Sequence, residues 1–205
     1  MDNRFRPSQS STPVVLNLII INAICFVAQL VFDSTWGITY RFGLYSVDTG
    51  LFEPYQLVTH MFLHGGFLHI AFNMYALWLF GSMLERQWGP KKFLIFYLVC
   101  GLAAGVAQML LVSGGPAIGA SGAIMGLLAA FAYTYPNIEF YIIPIPFAIK
   151  AKYLVAVYAA IDIFGGFSNS QDSVAHFAHL GGLVMGFILV LLWKDNNRPK
   201  NTYKF

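Results

Sequence analysis

The sequence predicts an all-α membrane protein, a polytopic bundle of six transmembrane helices, and three observations predict it. Of its 205 residues, 58% are hydrophobic and only 10% charged, and the mean hydropathy of +0.64 lies well above that of a soluble domain. Uncharged apolar runs are the second observation. They approach the roughly 20 residues that cross a bilayer as a helix at Val14–Phe32, Gly66–Leu84, Phe93–Val112, Ala117–Tyr135 and Val174–Trp193. A sixth run, about Phe147–Phe164, carries Lys150 and Lys152 near its start and Asp162 near its end. The third observation, the placing of the basic residues, decides for six.

With six alternating helices and a cytoplasmic N-terminus, the inside segments hold every one of the 12 basic residues except Arg41, as the positive-inside rule asks. Five helices would export the basic tail after Trp193. The formal net charge of +3 therefore reflects topology, and no basic patch interleaved with aromatics points to nucleic acid. The chain is expected to divide into a short tail, 1–13, a membrane domain, 14–193, and a basic tail, 194–205. Both tails are expected in the cytoplasm.

Taken in order, the first apolar run is too long for a signal-peptide core and no small-residue cleavage site follows it, so it reads as a retained helix. Cys25 and Cys100 fall inside predicted helices and read as buried thiols, not a disulfide. The longest connection, Asp33 to about Thr59, holds Trp36, Tyr40, Phe42, Tyr45, Phe52 and Tyr55. Such aromatics favour the membrane interface, so this loop is expected to lie partly in the outer leaflet. The polar stretch "GGFSNSQDS", Gly165 to Ser173, is expected to be the most mobile outer segment and a candidate cap. No inverted repeat suggests a transporter.

Polar groups inside a bilayer are costly and default to functional hypotheses. Asn17, Asn22, Gln29 and Gln108 read as interhelical hydrogen-bonding groups. Ser121, His179, His69 and Asn73 fall at one depth, in the outer half of three helices. A serine with a histidine in reach is the minimum for nucleophilic acyl transfer, the imidazole taking the hydroxyl proton and returning it to the leaving amine. Asp162 could orient the imidazole; a solvated carboxylate at a helix end is the reading preferred for it.

A helix starting near Ser121 leaves its first N–H groups unpaired, with partial positive charge around them. An oxyanion formed beside Ser121 would rest on those donors. Gly119, Ala120 and Gly122 keep the approach free of side chains, and "SGGPA" before them can dip inward to line a polar cavity. His69 and Asn73, spaced i, i+4, share one helix face and could add two donors, or could simply bridge helices. Gly122 with Gly126, and Gly182 with Gly186, make small-residue faces whose pairing would bring Ser121 to His179. Gly101 and Gly105 repeat the motif without catalytic neighbours.

These residues resemble the rhomboid family of intramembrane serine proteases over nearly the whole chain, through "HGGFLHIAFN", "GASG" and "AHLGGLVMG" in that order. The resemblance implies a compact six-helix core of bacterial type with no appended module. It implies Ser121 as nucleophile, His179 as general base, and an oxyanion hole of His69, Asn73 and the Ser121 N–H. It also implies a dyad working without a carboxylate or any cofactor or metal, and substrates cut within or beside their own transmembrane helix. By the same likeness the protein sits in the inner (plasma) membrane with its site opening outward. Nothing in the sequence sets an oligomeric state.

Two residues depart from the family pattern. Met125 stands where an aromatic often packs on the catalytic imidazole, and Tyr55–Gln56 where some members carry a Trp-Arg pair. His179 is preferred to His176 as base because its spacing to Gly182 and Gly186 matches the family. Two alternatives remain from the residues alone. The His60/His64 and His176/His179 spacings could bind zinc in a membrane protease, although no HExxH accompanies them. A catalytically silent rhomboid-like binding factor, or a channel, is the non-enzymatic rival.

Overall fold

The computed structural model describes residues 12–112, 114–141, 148–167 and 175–193. Both tails and most of "GGFSNSQDS" lie outside the described residues, including the proposed cap. What is described is mostly helical. Helix α1, Pro13–Trp36, opens with proline in its first turn and ends on Gly37 in the left-handed conformation, a position glycine fills without strain. The short helices α2, Ile38–Phe42, and α3, Gln56–Thr59, lie in the connection that follows. Helix α4, Phe67–Ala76, runs through a π-helical turn at Leu77–Gly81 into α5, Ser82–Trp88. Gly89 and Pro90 then start α6, Pro90–Leu111.

Helix α7 is Ser121–Thr134, α8 Ala151–Phe167 and α9 His176–Leu192. Three helices, Pro13–Trp36, the continuous Phe67–Trp88 and Pro90–Leu111, are each long and apolar enough to cross a membrane. Their outward faces show Leu16, Ile24, Phe67, Leu68, Phe72, Trp78 and Leu110, more than half exposed. Such a surface suits lipid and not water.

Several expectations need correction. The fold is not purely helical: strands β1, Glu139–Tyr141, and β2, Ala148–Lys150, pair antiparallel before α8. The run expected as a helix from Phe147 therefore starts at Ala151. The helix of the fourth run starts at Ser121, where the glycine-rich turn placed it, and leaves out the run's first residues, because Ala117 exchanges both backbone hydrogen bonds with Leu44, at 2.9 Å each. A backbone spent on a strand-like bridge cannot also enter a helix. Helix α6 begins at Pro90, three residues before the apolar run, since Lys91 and Lys92 can be helical outside hydrocarbon.

Burial explains which helix is central. Every residue of α7 from Gly122 to Phe131 is buried, against Phe93, Phe96, Tyr97 and Leu77 among others. Fourteen residues rise only about 21 Å, less than the roughly 30 Å hydrocarbon layer. Its N-terminus must therefore be reached by chain folding inward.

Other polar groups fasten the frame. Buried Glu85 accepts the N–H groups of Val14, at 3.0 Å, and Val15, at 2.8 Å, capping α1 from α5. Gln29 accepts the His64 N–H at 2.9 Å and donates to the His64 carbonyl and to Thr39, so it ties α1 to the first connection and not to another membrane helix. Asn22 instead bonds back to Leu18 of its own helix, and Asn17 faces outward, so neither bridges helices there. Cys25 and Cys100 are free thiols.

Candidate active site

The site is built where the segment before α7 turns into the helix. That segment is held from two sides, by the Leu44 bridge and by the Gly119 N–H donating to the His60 carbonyl at 2.9 Å. Gln56, buried beneath, keeps the first connection in shape by accepting from the N–H groups of Tyr45 and Glu53 and donating to the carbonyls of Arg41 and Leu51. Gly101 and Gly105 are not idle either. A side chain at Gly101 would strike Met61, and one at Gly105 would meet His60 and Leu44. These glycines let α6 receive the first connection, whose Leu44 and His60 hold the segment of Gly119.

Ser121 is the first residue of α7, partly exposed in a cleft it shares with Ile118, Gly119 and Ala178. The helix ladder begins with the Ile124 N–H donating to the Ala120 carbonyl at 3.1 Å. The N–H groups of Ser121, Gly122 and Ala123 thus have no acceptor within the helix, at the helix end where Ser121 stands.

The two glycine faces meet as expected. A Cβ on Gly182 would overlap the Gly122 carbonyl, and one on Gly186 would strike Gly126. This close approach of α7 and α9 carries Ser121 Oγ to 2.8 Å from His179 Nε2.

On the far side of the imidazole, His179 Nδ1 lies 3.0 Å from Asp162 Oδ1 on α8. His176 Nδ1 lies 2.9 Å from the same oxygen. Asp162 is 3% exposed, so it is not the solvated helix-end carboxylate that its position suggested. His176 is the first residue of α9 and is buried. A carboxylate can only accept, so both Nδ1 atoms donate, and His179 turns its Nε2 lone pair to the Ser121 O–H.

His69 reaches the site from α4. The Gly65 N–H donates to its Nδ1 at 3.2 Å, so the neutral ring carries its proton on Nε2. That nitrogen lies against Gly119: a Cβ there would stand 3.0 Å from it and 3.5 Å from Ser121 Oγ. Gly119 has φ +132°, where a side chain is strained whatever the room. Buried Asn73 sits one turn further along α4, one amide hydrogen donated to the His69 carbonyl at 2.8 Å. Met125 is buried in the core.

The zinc pairing from the first connection does not survive the geometry. His60 belongs to a short helical turn that ends at Leu63 in extended conformation, so His60 and His64 do not share a helix face. Among the described residues no group of three or more His, Cys, Asp and Glu side chains is arranged to hold a metal.

Comparison with known proteins decides the family. The Rhomboid domain model matches residues 51–195. This chain belongs to the rhomboid family. RHOMBOID-like protein 6, mitochondrial, of Arabidopsis thaliana is 31% identical over 138 residues, 67% of this chain and 43% of that protein. Rhomboid protease GluP of Bacillus subtilis is 34% identical over 136 residues, 66% of this chain and 25% of its own length. Presenilin-associated rhomboid-like protein, mitochondrial, of Homo sapiens is 34% identical over 155 residues, 71% and 40% respectively. The chain thus spans less than half the length of each of these relatives, and the likeness is that of a rhomboid-family membrane protein.

The sequence pointed to Ser121, His179, His69, Asn73 and the glycines, which the structure brings together, and under-read two groups. Gln56 was noted only as a departure from a pattern; its role appears in four loop hydrogen bonds. Asp162 was weighed as a group that could orient the imidazole, with a solvated helix-end carboxylate preferred, whereas the structure buries it against His179. A usable signal was present: an acid in an otherwise uncharged apolar run needs a partner.

Proposed function

We propose that this protein is an intramembrane serine endopeptidase that cuts membrane-protein substrates within or beside their transmembrane segments. The observation that carries this reading is the 2.8 Å contact between Ser121 Oγ and His179 Nε2 at a helix N-terminus. As Ser121 Oγ attacks a peptide carbonyl carbon, its proton passes to His179 Nε2. The carbonyl oxygen becomes an oxyanion, stabilised by the Ser121 N–H, His69 Nε2–H and the remaining amide hydrogen of Asn73. His179 then protonates the departing amine, leaving an acyl-enzyme that water hydrolyses by the same route. No cofactor enters these steps.

The substrate class follows from the site's surroundings. A peptide bond in an intact helix is shielded by its own turns, so a transmembrane substrate must unwind locally to reach Ser121. Glycine, proline or polar residues near the cut lower that cost. We further propose six crossing segments, α1, α4 with α5, α6, α7, α8 and α9, within a membrane domain over 14–193. The tails, 1–13 and 194–205, lie on the cytoplasmic side of a plasma membrane and the site opens outward. The inside bias of the basic residues supports this orientation, and a C-terminal reporter read as exported overturns it.

The function is tested with the purified protein in detergent, a fluorophosphonate probe and a transmembrane model substrate. Wild type is expected to label and to cleave. Ser121→Ala abolishes both, and His179→Ala abolishes cleavage, with expression unchanged. Full cleavage by Ser121→Ala assigns the nucleophile elsewhere. A folded wild type that neither labels nor cleaves points to a silent rhomboid-like binding factor.

A further inference from the structure

Helix α8 offers a single buried polar side chain among its described residues, and that side chain faces the proposed base. Asp162 Oδ1 lies 3.0 Å from His179 Nδ1, while His179 Nε2 lies 2.8 Å from Ser121 Oγ. We propose that Asp162 is a positioning residue for His179, making Ser121, His179 and Asp162 a triad in which the carboxylate fixes the reactive tautomer and faces the imidazolium as it forms. This rests on the protease reading above.

The chemistry balances within those three groups. Before attack, His179 Nδ1–H keeps its proton and donates a hydrogen bond to Asp162 Oδ1, which leaves Nε2 unprotonated and able to accept the hydroxyl proton of Ser121. That proton arrives at Nε2 as the Oγ–C bond forms, the ring becomes cationic, and the carboxylate charge is already in contact with its other nitrogen. The proton then leaves with the amine and the ring returns to its starting tautomer. Asp162 keeps its charge throughout and neither gains nor loses a proton.

Three further observations support a dedicated role. The carboxylate is buried, and burying a charge is costly unless it is paired. Its second oxygen, Oδ2, has no hydrogen-bond partner among the described residues, so the interaction is concentrated on the oxygen that His179 uses. Met125, the residue at the position that could have packed on the imidazole, is an aliphatic core side chain, leaving the ring's orientation to Asp162.

Among the described residues, the titratable groups beside this pair are His176 on α9, which shares the oxygen at 2.9 Å, and His69 on α4, which lies across from His179. The His176 ring is packed against Gly165 of α8, where any Cβ would overlap it. His176 therefore locks α8 to α9 through the same carboxylate, and does not contact Ser121 as His179 does.

The test measures cleavage of a transmembrane model substrate by the purified full chain, with active sites counted by fluorophosphonate labelling so that kcat is expressed per competent site. D162N keeps the shape and removes the charge. It is expected to lose on the order of 10²-fold or more in kcat with KM little changed, since amide replacement of a triad carboxylate costs up to about 10⁴. D162E, which keeps the charge, recovers much of that loss. H176N retains most of the wild-type kcat.

A D162N variant with wild-type kcat per labelled site overturns the proposal. So does a D162N loss seen only as fewer labelled sites, which is a folding role, or a D162E no better than D162N. A kcat loss in H176N equal to that in D162N shows the carboxylate serving His176 and overturns it too. These results leave the protease reading standing, whereas a wild type that neither labels nor cleaves removes both.

Discussion

Helices α7 and α8 both end beside His179, yet they are held there by different forces. Helix α7 is buried from Gly122 to Phe131, and its position is set by backbone lying against the glycines of α9. Helix α8 buries only Ala151 and Asp162 among its described side chains, and shows Tyr153, Val157, Ile161 and Phe164 outward. One helix is placed by shape, the other by a carboxylate on two histidines. The difference teaches that Ser121 is fixed by close packing, which tolerates no added atom, while His179 is oriented by hydrogen bonds, which respond to charge.

The largest expected effect comes from breaking the packed side. Gly182→Val places a branched side chain where even a Cβ overlaps the Gly122 carbonyl. Separating α7 from α9 by about 1 Å costs on the order of 10²-fold in rate, and overpacking costs about 1–3 kcal/mol in stability. Activity is expected to vanish and thermal unfolding in detergent to shift down. A fully active Gly182→Val would show that shape does not set the Ser121–His179 distance.

A smaller effect is expected at the entry to α7. Gly119→Ala adds a Cβ 3.0 Å from the His69 ring, at a φ that side chains avoid. Displacing one oxyanion donor costs about 10²–10³ in rate, so kcat should fall by roughly 10²-fold while fluorophosphonate labelling persists. Unchanged kcat would separate His69 from the oxyanion.

The smallest effect sharpens the polar side, through a buried group that lacks what Asp162 has. His64 lies in the connection before α4, and neither of its ring nitrogens finds a hydrogen-bond partner among the described residues. Burial, with His69 nearby as a second cause, pushes its pKa down to about 4 from 6.5. Burial also pushes His60 down. Between pH 6.5 and 4 the unfolded chain takes up a proton that folded His64 refuses, so stability is full above that window and falls as pH falls through it. Thermal unfolding measured across pH 7 to 4 should show this slope, and His64→Leu should flatten part of it. An identical slope in the variant would place the proton uptake elsewhere.

Much of the fold was legible because its causes are local. Apolar runs of bilayer length name their helices wherever they occur, which is why α1, α6 and α9 begin and end within a few residues of expectation. The strand pair and the bridge that precedes α7 were not legible, since Leu44 and Ala117 lie far apart in sequence and a bridge between them leaves no periodic trace. The glycine faces of α7 and α9 could be read as partners, and the structure brings their backbones into contact. That Gly101 and Gly105 receive a loop and not a helix depended on what the rest of the chain left beside them.

The sequence by itself determined that the chain is a membrane protein, that Ser121 begins a helix behind a glycine-rich turn, and that His69 and Asn73 share a helix face. These are consequences of hydropathy, backbone propensity and helical spacing, each settled within a dozen or so residues. Only the tertiary structure decided what lies behind His179. A charge has no preferred depth until its neighbours are known, and the axial register of α8 against α9 put Asp162 on both imidazoles and away from water.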